Sequence, residues 1–315
     1  MAAPFSTRVA SPAWRREAIH WIAARLDQKI DDVQQPRIRP WSTQLRVRTG
    51  DKHWWLKANC PALAFEPGLH AVLSELLPDS FDSPVAIDAE RGWLLTADRG
   101  PVWGAHSNPG LAQWCELAAA AARIQQQTPY GPAWRHLDVP DCSPPTVVDR
   151  FDRFLALLAG LDEHHPAHLA PGLRDRLDQR RPAVSAAAET LTASPLPTSW
   201  QHGDLHPWNV FQIDGGPRLF DLGDSQWAHP VEILCVPHDW IRDRTDFPWE
   251  PVLEAYADAW GQPVSRIAQD WAAARITQNV NRVQTWWGCL AEASADEWRH
   301  WGGALLHHLR GVLAP

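Results

Sequence analysis

The sequence predicts an α+β chain, with a small antiparallel β-sheet region first and a larger, mainly helical region after it. Strand-like alternation closed by tight turns is confined to residues 38–98. After Gly100, apolar residues recur at helical spacing in one segment after another. A single further hairpin pattern, at residues 211–220, interrupts the helices. Strands first and helices later separates a sheet body from a helical body, and 315 residues suffice for one large or two moderate domains. The expected division is 1–98 and 99–315.

Taken in order, Ser11-Pro12 reads as a helix start, and Trp14, Ala18, Trp21, Ile22 and Leu26 follow at helical spacing. From Ile38 the period changes. Leu45, Val47 and Thr49, a turn at Gly50-Asp51, and Trp54-Trp55-Leu56-Lys57 predict an antiparallel hairpin that ends in a lysine. Lys57 is one of only three lysines in the chain, and an unpaired ammonium at the end of an apolar strand is costly to bury. A helix follows with Phe65, Leu69, Val72, Leu73 and Leu76 on one face. Pro67 favours the first helical position and so places Glu66 at its N-cap. Residues 85–87, a turn at Glu90-Arg91-Gly92 and residues 93–96 predict a second hairpin. Amphipathic helices are expected over 109–127, 146–161, 172–192, 250–260, 264–287 and 296–313, with proline-rich links at 139–145 and 195–197.

The chemistry is concentrated between Trp200 and Ile233. Phe211 and Ile213, the turn Asp214-Gly215-Gly216, and Leu219 and Phe220 predict a hairpin that brings the loops before and after it together. Asp204 and Asn209 would then face Asp221 and Asp224, a concentration of oxygen donors that suits a hard divalent cation. An Asp followed five residues later by Asn, and twelve further on by Asp-x-Gly, is the catalytic-loop and metal-loop spacing of kinases.

Through HGDLHPWN (202–209) and FDLGD (220–224) the chain resembles the aminoglycoside phosphotransferase family, small-molecule kinases of protein-kinase-like two-lobe fold. The resemblance implies a sheet-bearing N-terminal lobe, a helical C-terminal lobe, and ATP (or GTP) and Mg2+ as cofactors. It implies Asp204 as the catalytic residue toward a substrate hydroxyl, and Asn209, Asp221 and Asp224 as metal-loop residues. His202 would hold the loop through the backbone. Lys57 would grip the nucleotide phosphates, with Glu66 as its partner and Glu75 as the second choice. The phosphate-covering loop carries no glycine over Arg39–Gln44, so Ser42 and Thr43 are the candidate donors there. Thr96 and Asp98 fall where the hinge between lobes would read the purine. His206, Asp239, Trp240, Asp243 and Trp287 are candidates for the acceptor site, since indoles stack on sugars and carboxylates attract amines.

Other readings stay open. A nucleotide-binding pseudokinase would keep the motif without turnover, and a metal-dependent hydrolase would use His202, Asp204, His206 and Asp221 as ligands. A protein kinase is disfavoured because Gly203 stands where His-Arg-Asp has arginine and no Ala-Pro-Glu follows.

Composition narrows the partners. The net charge is −8, and residues 201–262 hold 3 basic against 11 acidic side chains. That local surplus repels nucleic acid and favours a metal or a cationic or sugar-like small molecule. The five cysteines are scattered and never paired as Cys-x-x-Cys, which argues against disulfides and zinc. Nowhere do eighteen apolar residues run together and the first residues carry no signal-like apolar stretch. The expectation is a cytoplasmic monomer or homodimer without membrane or nucleic-acid partners.

Overall fold

The computed structural model describes residues 3–105, 108–213 and 216–314. The chain divides into two compact units, 1–100 with 287–301 and 101–286 with 302–315. The α+β class expected from the sequence is the one observed.

In the first unit, α1 (Phe5–Val9) leads into α2 (Pro12–Leu26), where the Ser11 hydroxyl accepts from the Trp14 N–H at 3.2 Å and Pro12 opens the helix. Next come β1 (Asp32–Ile38), β2 (Ser42–Thr49), β3 (Lys52–Asn59), α3 (Glu66–Leu76), β4 (Ala86–Asp88) and β5 (Trp93–Ala97). The strands form one antiparallel sheet in the order β1-β2-β3-β5-β4. The sequence pattern yielded the two hairpins but not β1. That strand is a polar edge carrying Pro36, and its register shifts between Gln34 and Arg37; its burial alternates, but Gln35 and Arg37 fill inward positions, so no apolar alternation shows in the sequence. Ala18, Trp21 and Ile22 of α2 pack on Leu45, Val47, Leu56, Trp93 and Leu95 of the sheet. Trp14 and Trp21 meet Trp93 edge-on at 5.9 and 5.6 Å, pairs worth about 0.5–1.5 kcal/mol each beyond their buried area.

The second unit begins with α4 (Leu111–Gln127), α5 (Val147–Ala159) and α6 (Pro171–Thr192). Then come β6 (Ser199–Gln201), β7 (Val210–Ile213), β8 (Gly216–Leu219), β9 (Gln226–Ala228) and α7 (Cys235–Arg244), followed by α8 (Glu250–Trp260) and α9 (Val264–Leu290). From Trp287 onward α9 groups with the first unit, as does α10 (Ala295–Trp301), whereas α11 (Gly303–Gly311) returns to the second. The spacing predicts one helix over 296–313; instead Gly302 separates α10 from α11. α7 has no helical period legible in the sequence, because Pro237 and its mixed charges mask it.

Buried Gln125 on α4 fixes the frame of the motif. Its amide donates to the carbonyls of Trp200 and Pro230 at 3.1 and 2.9 Å and accepts from the Tyr256 hydroxyl of α8 at 2.7 Å. Both segments flanking the motif are thereby tied to one helix. A donor left unpaired at that depth would cost about 1–3 kcal/mol.

Candidate active site

Two short antiparallel ribbons build the site. β7 pairs with β8, from Val210↔Leu219 to Ile213↔Gly216, and β6 pairs with β9, from Ser199↔Ala228 to Gln201↔Gln226. The loop 202–209 runs from β6 to β7, and the loop 220–225 runs from β8 to β9. Each loop is therefore held beside the other at both ends. The predicted turn residues Asp214 and Gly215 lie outside the described residues. The β6–β9 ribbon was not foreseen, since Ser199-Trp200-Gln201 is buried throughout and shows no alternation.

Contacts across the loops are close. Gly203 has φ +82°, and a Cβ there would meet the Asp224 carbonyl oxygen at 2.0 Å. This is the physical reason that glycine stands where a protein kinase has arginine. Buried His202 accepts from the Asp204 N–H at Nδ1 (3.3 Å), which leaves Nε2–H to donate to the Phe220 carbonyl at 3.1 Å. Burial lowers its pKa, so the ring stays neutral and ties the first loop to the residue before Asp221.

Asp204 is gripped by Asn209, whose Nδ2 donates to the Asp204 carbonyl at 2.9 Å and to its Oδ2 at 3.4 Å. His206 Nε2 lies 3.2 Å from the same Oδ2. Burial works against ionisation of Asp204, but the hydrogen bond from His206, with the Arg282 guanidinium behind it, outweighs it and holds the pKa at about 2. The side chain keeps 35% of its exposure, so the carboxylate is ionised and reachable.

Asp221 sits in the left-handed region at φ +64°, a conformation that Asp tolerates better than most residues. Asp224 is ion-paired with Arg282 of α9, Nη1 to Oδ1 at 2.5 Å. Burial raises the Asp224 pKa, opposed by Arg282 and reinforced by the charges of Asp204 and Asp221. Arg282 is the residue that sequence reasoning missed. It lies 58 positions from its partner, and within a helix nothing distinguishes it from a solvated arginine.

The donor chemistry fits magnesium. Asn209 offers Oδ1, since its Nδ2 is spent on Asp204, and Asp221 and Asp224 offer carboxylates. Among the described residues no group of three or more His, Cys, Asp or Glu side chains forms a cage for a metal ion. Few, hard, oxygen ligands suit a cation that keeps water and phosphate oxygens in its shell, as Mg2+ does.

In the first unit, Lys57 at the end of β3 donates to Glu66 Oε2 at 2.5 Å, and Asn59 Nδ2 donates to the same oxygen at 2.9 Å. Glu66 is the first residue of α3, with Phe65 as N-cap and Pro67 behind it. Its carboxylate still reaches Lys57, because a helix N-terminus laid beside the strand end needs no full turn to make the pair; Glu75 is exposed. Ser42 and Thr43, expected as donors on a loop, are buried in β2. Thr43 donates to the Arg37 carbonyl and accepts from Gln35, both at 2.9 Å, so its hydroxyl is engaged within the sheet. Thr96 pairs with Trp55 in the sheet. The Asp98 N–H donates to the His53 carbonyl, and the Asp98 carboxylate accepts from Gly100 N at 2.9 Å and faces Arg46 at 3.5 Å.

The acceptor candidates divide. Trp240 packs on His206, with ring centroids 5.5 Å apart, and under the Arg244 guanidinium. Asp239 and Asp243 are exposed and both accept from Arg242 at 2.8 Å. Trp287 groups with the first unit and packs on Trp298 at 5.7 Å.

The sheet body and the helical body with its two-loop site have the protein-kinase-like fold of small-molecule kinases. The macrolide 2'-phosphotransferase MphH from Brachybacterium faecium is 18% identical over 92% of this chain and 97% of its own, with a TM-score of 0.61. The choline kinase LicA from Streptococcus pneumoniae is 15% identical over 95% and 99%, with a TM-score of 0.62. The spectinomycin phosphotransferase APH(9)-Ia, solved with ADP and spectinomycin, is 11% identical over 95% and 97%, with a TM-score of 0.55. No curated protein matches the chain in sequence. The pattern of the Phosphotransferase enzyme family matches residues 41–276, well over half of the chain, and the chain belongs to that family. It is a phosphotransferase with an alcohol group as acceptor, and the hydrolase reading is set aside. Among the described residues no helix is long and apolar enough to cross a membrane.

Proposed function

We propose that the protein transfers the γ-phosphoryl group of ATP or GTP to a hydroxyl of a small cationic or sugar-like molecule, such as an amino sugar, an aminoglycoside or a related metabolite. The observation that carries this reading is the Asp204 carboxylate: ionised, still accessible, and held from one side by Asn209 and His206. A carboxylate with so low a pKa is a weak base. It orients the acceptor hydroxyl by accepting its hydrogen bond and takes the proton late, as a loose phosphoryl-transfer transition state requires.

Magnesium, when bound with the nucleotide, neutralises charge on the phosphates, and Asn209, Asp221 and Asp224 are the residues that would hold it. Lys57 carries the charge for the non-transferred phosphates, and Glu66 with Asn59 sets the direction of its ammonium. His202 keeps the two loops in step. An amine-bearing acceptor is supported by the acidic surplus of residues 201–262 and by relatives that act on choline and on spectinomycin. The protein works in this reading as a cytoplasmic monomer or homodimer.

The test is a phosphoryl-transfer screen read by product mass. Magnesium with ATP or GTP is offered with amino sugars, aminoglycosides, macrolides and small amino alcohols, and Asp204→Asn serves as control. A phosphorylated product that the control lacks is the expected result. Absence of magnesium-dependent nucleotide binding would sink the reading; tight nucleotide binding without product from any acceptor would favour a pseudokinase.

A further inference from the structure

Trp240 stands where an acceptor-stacking indole would be sought, yet its contacts lead back to the catalytic carboxylate. The ring stacks on the His206 imidazole with centroids 5.5 Å apart and planes 28° from parallel. The Arg244 guanidinium lies 3.8 Å from the indole centroid, and the Arg244 carbonyl accepts from Asn108 at 3.3 Å. The tautomer of His206 follows from its other contact: the Trp208 N–H donates to Nδ1 at 3.2 Å, so in the neutral ring Nε2 carries the proton. That N–H meets Asp204 Oδ2 at 3.2 Å. Asn209 approaches the same oxygen. Both donors on Oδ2 leave Oδ1 as the oxygen that meets an acceptor hydroxyl.

We propose that His206 is a positioning residue for Asp204, and that Trp240 and Arg244 brace it. The stack keeps the imidazole plane turned so that Nε2–H stays on Oδ2, and Trp240 acts on the reaction through His206 rather than by stacking on the acceptor. This inference rests on the phosphotransferase reading above. The physical need is orientation, since a displacement of about 1 Å in a reacting group can cost on the order of 10²-fold in rate. A cation over the indole strengthens the brace by about 0.5–1 kcal/mol at an exposed site.

The experiment has two readouts. The first is ¹⁵N NMR of the histidine-labelled full-length protein, with the His206 ring assigned by its loss in His206→Gln. At a pH above the raised pKa of His206, where the ring is neutral, the wild type is expected to show Nε2 protonated and Nδ1 bare, and Trp240→Leu to mix in the other tautomer. An Nδ1–H ring in the wild type, or no change in Trp240→Leu, overturns the proposal.

The second readout is kinetic, on the acceptor found in the mass screen. His206→Ala and Trp240→Leu are expected to lower kcat roughly 10- to 100-fold while KM for the acceptor stays within about twofold. His206→Gln, whose Nε2 can still donate to Oδ2, should recover most of that loss. A raised KM with unchanged kcat in Trp240→Leu would return the indole to the acceptor site, and equal defects in the Gln and Ala variants would reduce His206 to a structural role. Failure of the phosphotransferase reading would instead appear as wild-type protein without turnover and with the expected tautomer.

Discussion

The Asp224 carbonyl oxygen lies 2.0 Å from where a Cβ on Gly203 would stand. One loop therefore bears on the other through backbone alone, and Asp204 reaches its place only because residue 203 has no side chain. Gly203→Ala adds both a clash with backbone and a strained left-handed conformation, each costing about 1–3 kcal/mol. The variant should melt several degrees lower and lose turnover even below its melting temperature. A thermal melt and an activity assay at the same temperature check this.

Asp221→Asn tests the metal assignment without disturbing the fold, because Asn also tolerates the left-handed conformation at φ +64°. In the proposed role, loss of this carboxylate should lower turnover on the order of 10²-fold or more, with a nearly unchanged melt. Turnover retained at the wild-type level would remove Asp221 from the metal loop.

The Lys57–Glu66 pair is largely buried, with Lys57 12% exposed and Glu66 closed to solvent. Removing one member strands the other charge, at a cost of about 3–5 kcal/mol. Lys57→Met should therefore destabilise the protein strongly. Lys57→Met with Glu66→Gln, which leaves no charge and keeps an acceptor for Asn59, should regain most of the stability. Neither variant should bind nucleotide tightly. Denaturant melts and nucleotide titration together separate the structural role from the phosphate role.

Glu232 sits fully buried between Thr277 and Asn281, which donate to its two oxygens at 2.6 and 2.9 Å. Burial lifts its pKa from 4.5 to about 7, against those hydrogen bonds and the Arg150 charge. The folded state holds this proton more tightly than the unfolded state does, so the stability it contributes is complete below about pH 4.5 and is lost as pH rises through about 7. The loss is on the order of 3 kcal/mol. Glu232→Gln should flatten that part of the stability–pH curve, which urea melts between pH 4 and 9 would show. An unchanged slope would mean that Glu232 is ionised throughout.

Much of the site was legible because its information is local. His202, Asp204, Asn209, Asp221 and Asp224 lie within two short loops, and the β7–β8 hairpin that joins them announces itself by its own alternation and turn residues. The sheet hairpins and most helices were legible for the same reason. What escaped notice lacked a local period: the polar edge strand β1, the three-residue strands β6 and β9, and α7 with its proline. Ser42 and Thr43, read as loop residues, lie at the start of β2 and are buried there, because the strand begins one residue after Trp41.

The sequence by itself determined the class of chemistry, since a motif whose residues are close along the chain carries its own spacing wherever the chain folds. Tertiary structure alone decided how the motif is held. Arg282 reaches Asp224 from a helix 58 residues away, Gln125 ties both flanks of the motif to α4, and Trp240 stacks on His206. Such partners are chosen by the packing of distant helices. Helical or strand periodicity says which face of an element is buried, but it does not say which residue of another element that face will meet.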